Sequence, residues 1–254
     1  MKSTMWTRTY ENRRAFIGGS DARIIMGNEE VALIQLWREK RGEAEAKDLS
    51  GNLIVQLGAA TEELNRSWYE RNTGRRVSDV QRHIKHSAIP WMAATLDGIV
   101  EGTEAGFEAK FMLPWSFSEE AAAEKYMAQV QHNMWVTHLR TSVLSIITGG
   151  GKWVEITIPV DPLYLSVLVS AEKKFWRCVQ SGEPPHLINA EPPRPRIEAV
   201  RVGGVRRAVP QHPQRLPRPR TGQERAQSLD ARGRQGGHRA RRESQALEIG
   251  RGEL

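Results

Sequence analysis

The sequence predicts an α/β protein, because helical and strand patterns alternate along the chain. Apolar residues recur at helical spacing in several stretches, and paired apolar segments joined by turn-rich connections indicate β-hairpins. The helical stretches are residues 31–41, 53–72, 119–139 and 162–181, and the hairpins are residues 91–112 and 141–160. Hydrophobic residues make up 39% of the chain, which is enough to build a core for a domain of good size.

The first predicted element is a short helix that begins at Ser20 or Asp21 and ends at Gly27. Glycines precede this helix, and Arg13 and Arg14 stand just upstream. Free backbone N–H groups at the start of a helix attract anions. Arg13, the Ser20 hydroxyl and these amides therefore form a candidate phosphate pocket, and the alternative is a capped surface helix with solvated arginines.

Glu62 lies one turn after Gly58 in the helix predicted for residues 53–72. A glycine at that point allows another element to approach closely. The Glu62 carboxylate would then reach a metal ion, directly or through water. The alternative is an exposed glutamate on a charged helical face.

Residues 75–88 alternate loosely, which predicts a strand, bent along its length, that pairs with the strand leading to Asp97. His83 and His86 lack the spacing with cysteines or acidic residues that metal sites show. We therefore expect both imidazoles to lie at the surface.

Three charged residues of the 91–112 hairpin are candidates for a catalytic site. Side chains alternate along a strand, so Glu108 and Lys110 share one face while Phe107 and Ala109 line the other. Asp97, on the neighbouring strand, approaches the face of Glu108, and two such carboxylates repel unless a cation separates them. Mg²⁺ or Mn²⁺ would suit these oxygen ligands, and Lys110 would position or deprotonate a water, or stabilise negative charge. The alternative is a surface hairpin with a solvated glutamate and lysine.

Gln129 falls near the apolar stripe of the helix predicted for residues 119–139, which contains Tyr126, Val130 and Met134. A glutamine that faces inward must find hydrogen-bonding partners. The partner of Gln129 would be a metal-bound water, a carboxylate or a phosphate, and the alternative is simple satisfaction at the edge of the core.

The single cysteine, Cys178, excludes an intramolecular disulfide framework and a cysteine-based zinc site, and we expect it to be a buried, inert thiol. No apolar run approaches the length of a membrane span, and the N-terminal residues lack the apolar core of a signal peptide. The sequence therefore predicts a cytoplasmic protein.

The net charge of +7 is concentrated at the C-terminal end of the chain. Residues 195–254 contain 14 arginines, no lysine and six acidic residues, so this segment carries +8 and the rest of the chain −1. We therefore expect a globular domain over residues 1–191 and a disordered tail rich in Arg, Pro and Gly over residues 192–254. The tail is interpreted as a nucleic-acid tether, as a solvated segment without a role, or as the product of a shifted reading frame.

Five motifs follow one another in a specific order. They are Arg13 with Ile17-Gly18-Gly19-Ser20-Asp21, then Gly58-x-x-x-Glu62, Thr95-Leu96-Asp97-Gly98, Glu108-Ala109-Lys110 and Tyr126-Met127-Ala128-Gln129-Val130-Gln131. In this order the motifs resemble the phage lambda exonuclease and YqaJ-type viral recombinase family, over residues 10–185. The resemblance implies a PD-(D/E)xK, restriction-endonuclease-like core, in which a mixed central sheet is flanked by helices.

The resemblance also implies an activity and a cofactor. Members of this family digest one strand of linear duplex DNA in the 5′→3′ direction, which leaves 3′ overhangs for single-strand-annealing recombination. The reaction requires Mg²⁺, with two ions expected and Mn²⁺ as a substitute.

Roles for individual residues follow from the matched motifs. The metal ligands would be Asp97, Glu108, the Ala109 carbonyl and, for a second ion, Glu62. Lys110 would position or activate the attacking water, and Gln129 would orient groups around the site. The 5′-terminal phosphate of the DNA would be held by Arg13 and Ser20.

The partners implied by the resemblance are duplex DNA ends, a single-strand annealing protein and two further copies of the chain in a ring-shaped homotrimer. No membrane is involved, and the protein would act in a bacterial host cell as a phage or prophage product. Two alternatives stay open. One is a structure- or site-specific DNA endonuclease with the same core, and the other is a non-catalytic DNA-binding module.

Overall fold

The computed structural model describes residues 13–188, 193–203 and 205–209, and all of them lie in one compact unit. The α-helices of this part are α1 (Gly19–Ile25), α2 (Glu30–Arg41), α3 (Leu53–Thr73), α4 (Glu119–Thr137) and α5 (Pro162–Ser181). Its strands are β1 (Val77–Ser78), β2 (Arg82–Lys85), β3 (Ala93–Leu96), β4 (Gly98–Val100), β5 (Ala105–Met112), β6 (Thr141–Thr148), β7 (Trp153–Pro159), β8 (Ala199–Val202) and β9 (Val205–Ala208).

Side-chain caps explain where the long helices begin. Asn52 Oδ1 accepts hydrogen bonds from two backbone N–H groups of α3, Ser118 Oγ accepts one from α4, and Asp161 Oδ1 accepts two from α5. Helices α3 and α5 end at glycines with positive φ, Gly74 and Gly182. Within the described part of the chain, no helix combines the length and apolar content needed to cross a bilayer.

Seven strands form a mixed sheet in the order β1-β4-β5-β6-β7-β8-β9. Strands β5 and β6 are parallel, with α4 as the connection between them, and the other neighbouring pairs are antiparallel. The predicted α/β class, a mixed central sheet flanked by helices, is confirmed.

The two faces of the sheet pack against different helices. On one face Tyr69 of α3 lies in a cluster with Phe107 and Val143, and on the other Met127 and other residues of α4 lie in a cluster with Leu144. Because Glu108 is paired with Leu144 in the parallel register, its side chain belongs to the α4 face. The sheet therefore directs the charged residues of β5 towards α4.

The strand predicted for residues 75–88 is two short strands rather than one bent strand. Strand β1 pairs with β4, after Asp97, and β2 pairs with β3, before Asp97. The break between β1 and β2 contains two residues with positive φ, Asp79 at 52° and Gln81 at 57°. Asp97 is consequently flanked by paired strands on both sides.

Strands β8 and β9 continue the sheet through residues that the sequence analysis assigned to the disordered tail. Ala199 and Val200 are buried, and Arg201 Nε lies 2.8 Å from Glu155 Oε2 on β7. Residues 199–202 and 205–208, which fall within the predicted tail, thus form strands of the sheet. The buried side chains of Ala199 and Val200, together with the pair between Arg201 and Glu155, attach β8 to β7. The composition of the surrounding segment is nevertheless typical of disorder. Residues 210–254 of the predicted tail lie outside the described part.

A buried ion pair joins α4, α5 and β3. His132 Nδ1 lies 2.8 Å from Glu172 Oε1, and His132 Nε2 lies 3.0 Å from the carbonyl oxygen of Ala93. Burial lowers the pKa of His132, but the charge of Glu172 and these hydrogen bonds outweigh it, so the pKa is raised. Both ring nitrogens face acceptors, which favours the doubly protonated imidazolium. The His132–Glu172 pair therefore holds β3, the strand that leads to Asp97, through the hydrogen bond to Ala93.

Candidate active site

Strand β5 presents Glu108 and Lys110 together on the α4 face. Lys110 Nζ lies 2.5 Å from Glu108 Oε1. Phe107 lies on the opposite face, where its ring packs against Tyr69 at a centroid distance of 5.1 Å. The alternation predicted for this strand is confirmed.

Asp97 lies in the break between β3 and β4, next to the middle of β5. Its Oδ2 accepts a hydrogen bond from the backbone N–H of Ala109 at 2.9 Å. Burial, followed by the charge of Glu108, raises the pKa of Asp97 to about 7. The structure therefore brings Asp97 and Glu108 close enough to interact electrostatically, as ligands of a shared cation would.

Two side-chain amides of α4 hold the carboxylate of Glu108. Gln129 Nε2 donates to Oε1 at 2.5 Å, and Asn133 Nδ2 donates to Oε2 at 3.2 Å. Of the partners considered for Gln129, the structure shows a carboxylate. Asn133 was missed by sequence reasoning. The available signal was its spacing, because a polar residue four positions after Gln129 shares its helical face.

Lys110 is held in a negative environment. Burial lowers the pKa of Lys110, but the charges of Glu108 and Asp97 outweigh it, so the pKa lies above its ordinary value. Its Nζ also lies 5.3 Å from the centre of the Tyr126 ring. Lys110 therefore carries a full positive charge near neutral pH, which favours stabilisation of developing negative charge over abstraction of a proton.

Glu62 projects from α3 towards the same site. Its Oε1 accepts a hydrogen bond from Gln81 Nε2 at 2.6 Å. Burial, followed by the charge of Asp97, raises the pKa of Glu62. The expectation that another element approaches closely at Gly58 is wrong, because a Cβ built on this glycine would meet no atom within 4 Å. Glu62 reaches the site through the position of its own helix, without a close contact at Gly58.

A pocket of about 310 Å³ opens beside these carboxylates. Arg13 and Ser20 line it, and Arg13 Nη2 donates to Ser20 Oγ at 3.1 Å. Gln129 and Asn133, which hold Glu108, also line it. The predicted phosphate-binding residues Arg13 and Ser20 therefore share a pocket with Gln129, which in turn contacts Glu108 outside the lining. The remaining lining residues are Phe16, Gly18, Gly19, His83, Ala93 and Thr95.

A buried ion pair behind Arg13 shapes this pocket. Lys40 Nζ lies 2.6 Å from Asp21 Oδ2 and also donates to the carbonyl oxygens of Arg13 and Phe16, at 2.8 and 2.6 Å. Burial lowers the pKa of Lys40 despite the opposing effect of Asp21. Sequence reasoning missed Lys40, because a lysine in an amphipathic helix is usually solvated.

The predicted start of the first helix is also corrected. Helix α1 begins at Gly19, and Asp21 lies in its first turn, where Oδ2 accepts from the backbone N–H of Gly18 at 2.9 Å. The N–H group of Gly18 is thus already bonded. Arg13 lies against this first turn, because its Nη2 is 3.4 Å from Asp21 Oδ1.

The two histidines of the β2 region have different environments. His83 is exposed as expected, but it lines the pocket, and its Nδ1 lies 3.2 Å from Thr95 Oγ1. His86 is buried, and its Nδ1 accepts from the backbone N–H groups of Ala88 and Ile89. The expected surface position is wrong for His86, because its ring closes a turn.

The site offers the oxygen donors that a hard divalent cation prefers. Among the described residues, no three side chains of His, Cys, Asp or Glu form a ready-made metal cluster. Asp97 and Glu108 nevertheless interact electrostatically, and burial followed by the charge of Glu108 raises the pKa of Asp97, which a bound cation would oppose. With the Ala109 carbonyl and Glu62, these groups fit Mg²⁺ or Mn²⁺ in chemistry.

The family model described as the YqaJ-like viral recombinase domain matches residues 9–140, which is over half of the chain. The chain belongs to this family. The matched region contains the lining residues of the pocket and the carboxylates of Glu62, Asp97 and Glu108. The predicted family is therefore confirmed.

One curated relative and several solved structures are similar to the YqaJ-like chain. The uncharacterized protein YqaJ of Bacillus subtilis (strain 168) is 29% identical over 182 residues, which cover 69% of this chain and 57% of that protein. The chain therefore spans somewhat more than half the length of this relative.

Two exonuclease structures share the fold of this YqaJ-family chain. An alkaline exonuclease (LHK-Exo) from Laribacter hongkongensis matches with a TM-score of 0.59 at 17% identity, over 70% of this chain and 94% of that one. A phage related exonuclease from Haemophilus somnus 129PT matches with a TM-score of 0.52 at 14% identity, over 66% and 93%. These similarities establish the fold.

Proposed function

We propose that this YqaJ-family protein is a metal-dependent exonuclease that digests one strand of linear duplex DNA from its 5′ end and leaves 3′ overhangs for recombination. The observation that carries the proposal is the pair of amides that connects the pocket to the Glu108 carboxylate. Gln129 and Asn133 line the pocket of Arg13 and Ser20, and the same two amides hold Glu108. The names of the solved relatives, which are exonucleases, support the same class of reaction.

The arrangement of the pocket accounts for the proposed polarity. A 5′-terminal phosphate bound by Arg13 and Ser20 would lie at one end of the cavity. The next phosphodiester along the strand would then lie near Asp97 and Glu108. An internal phosphate bears two ester links, whereas a terminal one offers a further charged oxygen to Arg13 and Ser20, so the enzyme would act at ends.

Each residue of the site would have a separate role in the reaction. Asp97, Glu108 and the Ala109 carbonyl would hold Mg²⁺ or Mn²⁺, with Glu62 supporting a second ion. When bound, such ions activate water and offset the charge of the phosphate. Lys110 would position the attacking water or stabilise the negative charge that develops on the phosphate oxygens, and Gln129 would keep the Glu108 carboxylate in its orientation.

We also propose the wider context that accompanies this activity. The protein would act on duplex DNA ends as a homotrimer, together with a single-strand annealing protein, in the cytoplasm of a bacterium that carries the phage or prophage. Family membership supports each of these statements.

The decisive experiment compares linear, nicked and covalently closed circular duplexes in the presence of Mg²⁺. We expect loss of linear DNA, release of label from the 5′ end before the 3′ end, and no attack on closed circles. Cleavage of closed circles would instead establish an endonuclease. A 5′-hydroxyl end should be digested about 10-fold more slowly than a 5′-phosphate end, because charge-assisted hydrogen bonds to the phosphate are lost.

The same comparison identifies the pocket residues. Arg13→Ala and Ser20→Ala should reduce the preference for the 5′-phosphate, with rates on 5′-hydroxyl ends changed little. Arg14→Ala is the matched control, because Arg14 pairs with Glu45 and does not line the pocket. Equal rates on the two kinds of end by the wild-type protein would remove the proposed role of Arg13 and Ser20.

A further inference from the structure

Asn133 occupies an unusual position between the pocket and the carboxylates. Its side chain is buried, with only 6% of the residue exposed. The amide nitrogen donates to Glu108 Oε2, while Oδ1 has no hydrogen-bonding partner among the described residues. A buried, unpaired acceptor is costly, so its retention between the pocket segment and Glu108 points to a role of this amide beyond packing.

The glycine-rich segment of the pocket lies against this side chain. A Cβ built on Gly19 would be 2.5 Å from Asn133 Oδ1 and 3.0 Å from Gln129 Cγ. Real Cβ atoms do not approach so closely, so any side chain at Gly19 would displace Asn133. The segment that carries Ser20 is therefore in direct contact with one end of the Asn133 amide, and Glu108 is bonded to the other end.

A comparison with the neighbouring amide shows that this arrangement is specific. Gln131 is also buried on α4, but its Nε2 donates to the Pro159 carbonyl at 2.8 Å and its Oε1 accepts from the Asp161 N–H at 3.0 Å. Both ends of Gln131 are satisfied by backbone groups, as expected for a structural amide. Asn133 is satisfied at one end only, by a carboxylate of the site.

We propose that Asn133 is a positioning residue that couples occupation of the 5′-end pocket to the orientation of Glu108. The proposal rests on the nuclease function proposed above. A bound terminal phosphate would fix the segment that carries Ser20, and Gly19 of that segment lies directly against Asn133 Oδ1. The bound end would then hold the Asn133 amide in place, and the amide would hold Glu108 in the orientation that binds the cation.

The coupling is reciprocal by thermodynamic necessity, and this makes it measurable without catalysis. Ca²⁺ serves as the probe ion, and the probe ligands are short duplexes with a 5′-phosphate or a 5′-hydroxyl. The quantity of interest is how much Ca²⁺ tightens the binding of each duplex. Both duplexes contain the same internal phosphates, so the difference between them reports on the terminal phosphate alone. Wild-type protein should show about 10-fold more tightening for the phosphorylated duplex.

Asn133→Leu preserves the shape of the side chain and removes its polar atoms. In this variant, Ca²⁺ should tighten the binding of the 5′-phosphate and 5′-hydroxyl duplexes by nearly the same factor. Titration calorimetry in the absence of DNA should show that the variant binds Mn²⁺ about 10-fold more weakly than the wild-type protein does. Gly19→Ala should reproduce the loss of coupling, although it touches neither Glu108 nor the ion. Gln131→Leu is the matched control, which should lower the melting temperature and leave the coupling unchanged.

The outcomes separate this inference from the proposed function. An Asn133→Leu variant that folds and keeps the wild-type difference would overturn the coupling, and so would a wild-type protein that shows no difference. A wild-type protein that degrades linear DNA in either case would leave the nuclease proposal intact. If Asn133→Leu fails to fold, Gly19→Ala decides the matter, since unchanged coupling in that variant would equally exclude the contact.

Discussion

Gln81 donates a hydrogen bond of 2.6 Å from Nε2 to Oε1 of Glu62, across the space between the β1–β2 turn and helix α3. The backbone of Gln81 has a φ of 57°, in the left-handed region that residues other than glycine rarely adopt. Strained residues of this kind concentrate at functional sites, where the surrounding structure holds them. The turn therefore directs the amide of Gln81 onto a carboxylate of the candidate active site.

The first prediction concerns this contact. Burial and the charge of Asp97 raise the pKa of Glu62, and the hydrogen bond from Gln81 opposes that effect. Gln81→Ala should therefore raise the pKa further and weaken Mn²⁺ binding at pH 7 by about 3- to 10-fold, measured by calorimetry. Arg82→Ala, which removes an exposed pair with Asp79, is the control and should bind Mn²⁺ normally. Equal affinities for both variants would show that the hydrogen bond from Gln81 to Glu62 does not support metal binding.

The second prediction concerns Lys110. Lys110→Ala should reduce the cleavage rate by about 100- to 1,000-fold, because a preorganised charge next to the reacting phosphate is removed. Duplex binding should change little, since one contact among many is lost. Lys125→Ala is the control, because Lys125 also lies near the Tyr126 ring, at 5.5 Å, but is exposed. Near wild-type turnover by Lys110→Ala would remove this residue from the mechanism.

The third prediction concerns pH. Burial and the charge of Glu108 raise the pKa of Asp97 to about 7, so protons compete with a cation for this carboxylate below neutral pH. Mn²⁺ affinity should fall about 10-fold per pH unit below pH 7 and level off above pH 8. Titrations at pH 6, 7 and 8 test this expectation.

A stability measurement gives an independent check on Asp97. A carboxyl whose folded-state pKa is raised destabilises the folded protein increasingly as the pH rises from its unfolded value, near 4, through its folded value. Asp97→Asn should therefore increase the melting temperature of the metal-free protein at pH 8 and have little effect at pH 4. An unchanged melting temperature at pH 8 would contradict the raised pKa.

The fourth prediction concerns the end of the sheet. Truncation after residue 191 removes β8 and β9 with the buried side chains of Ala199 and Val200, and leaves Glu155 without Arg201. Burial of even two small apolar side chains contributes about 2 kcal/mol, so the melting temperature should fall by several degrees. Truncation after residue 209 keeps both strands and should preserve the wild-type value. Identical melting curves for the two truncations would show that the strands do not contribute.

Much of the site could be predicted from sequence because its residues lie in regular elements. Strand alternation placed Glu108 and Lys110 on one face, and helical spacing placed Gln129 towards them. The predicted helices agree with the observed bounds to within about two residues, because capping residues and glycines mark their ends.

What could not be predicted depends on contacts between distant segments. The ion pairs Lys40–Asp21 and His132–Glu172 cannot be inferred from the neighbouring sequence. Each of these residues has the local pattern of a solvated helical face. Strand β8 was hidden for a different reason. Composition averaged over a long arginine-rich segment conceals a short stretch whose few apolar residues match the exposed edge of β7.

Strand β9 is the outermost strand of the sheet among the described residues, and all four of its residues are exposed. Its charged residues, Arg206 and Arg207, discourage edge-to-edge association with another molecule. Without β8 and β9 the outermost strand would be β7, whose Val154, Ile156 and Ile158 are buried in the intact fold. The arginine-bearing hairpin thus protects against aggregation, which makes solubility during expression sensitive to where the chain is cut.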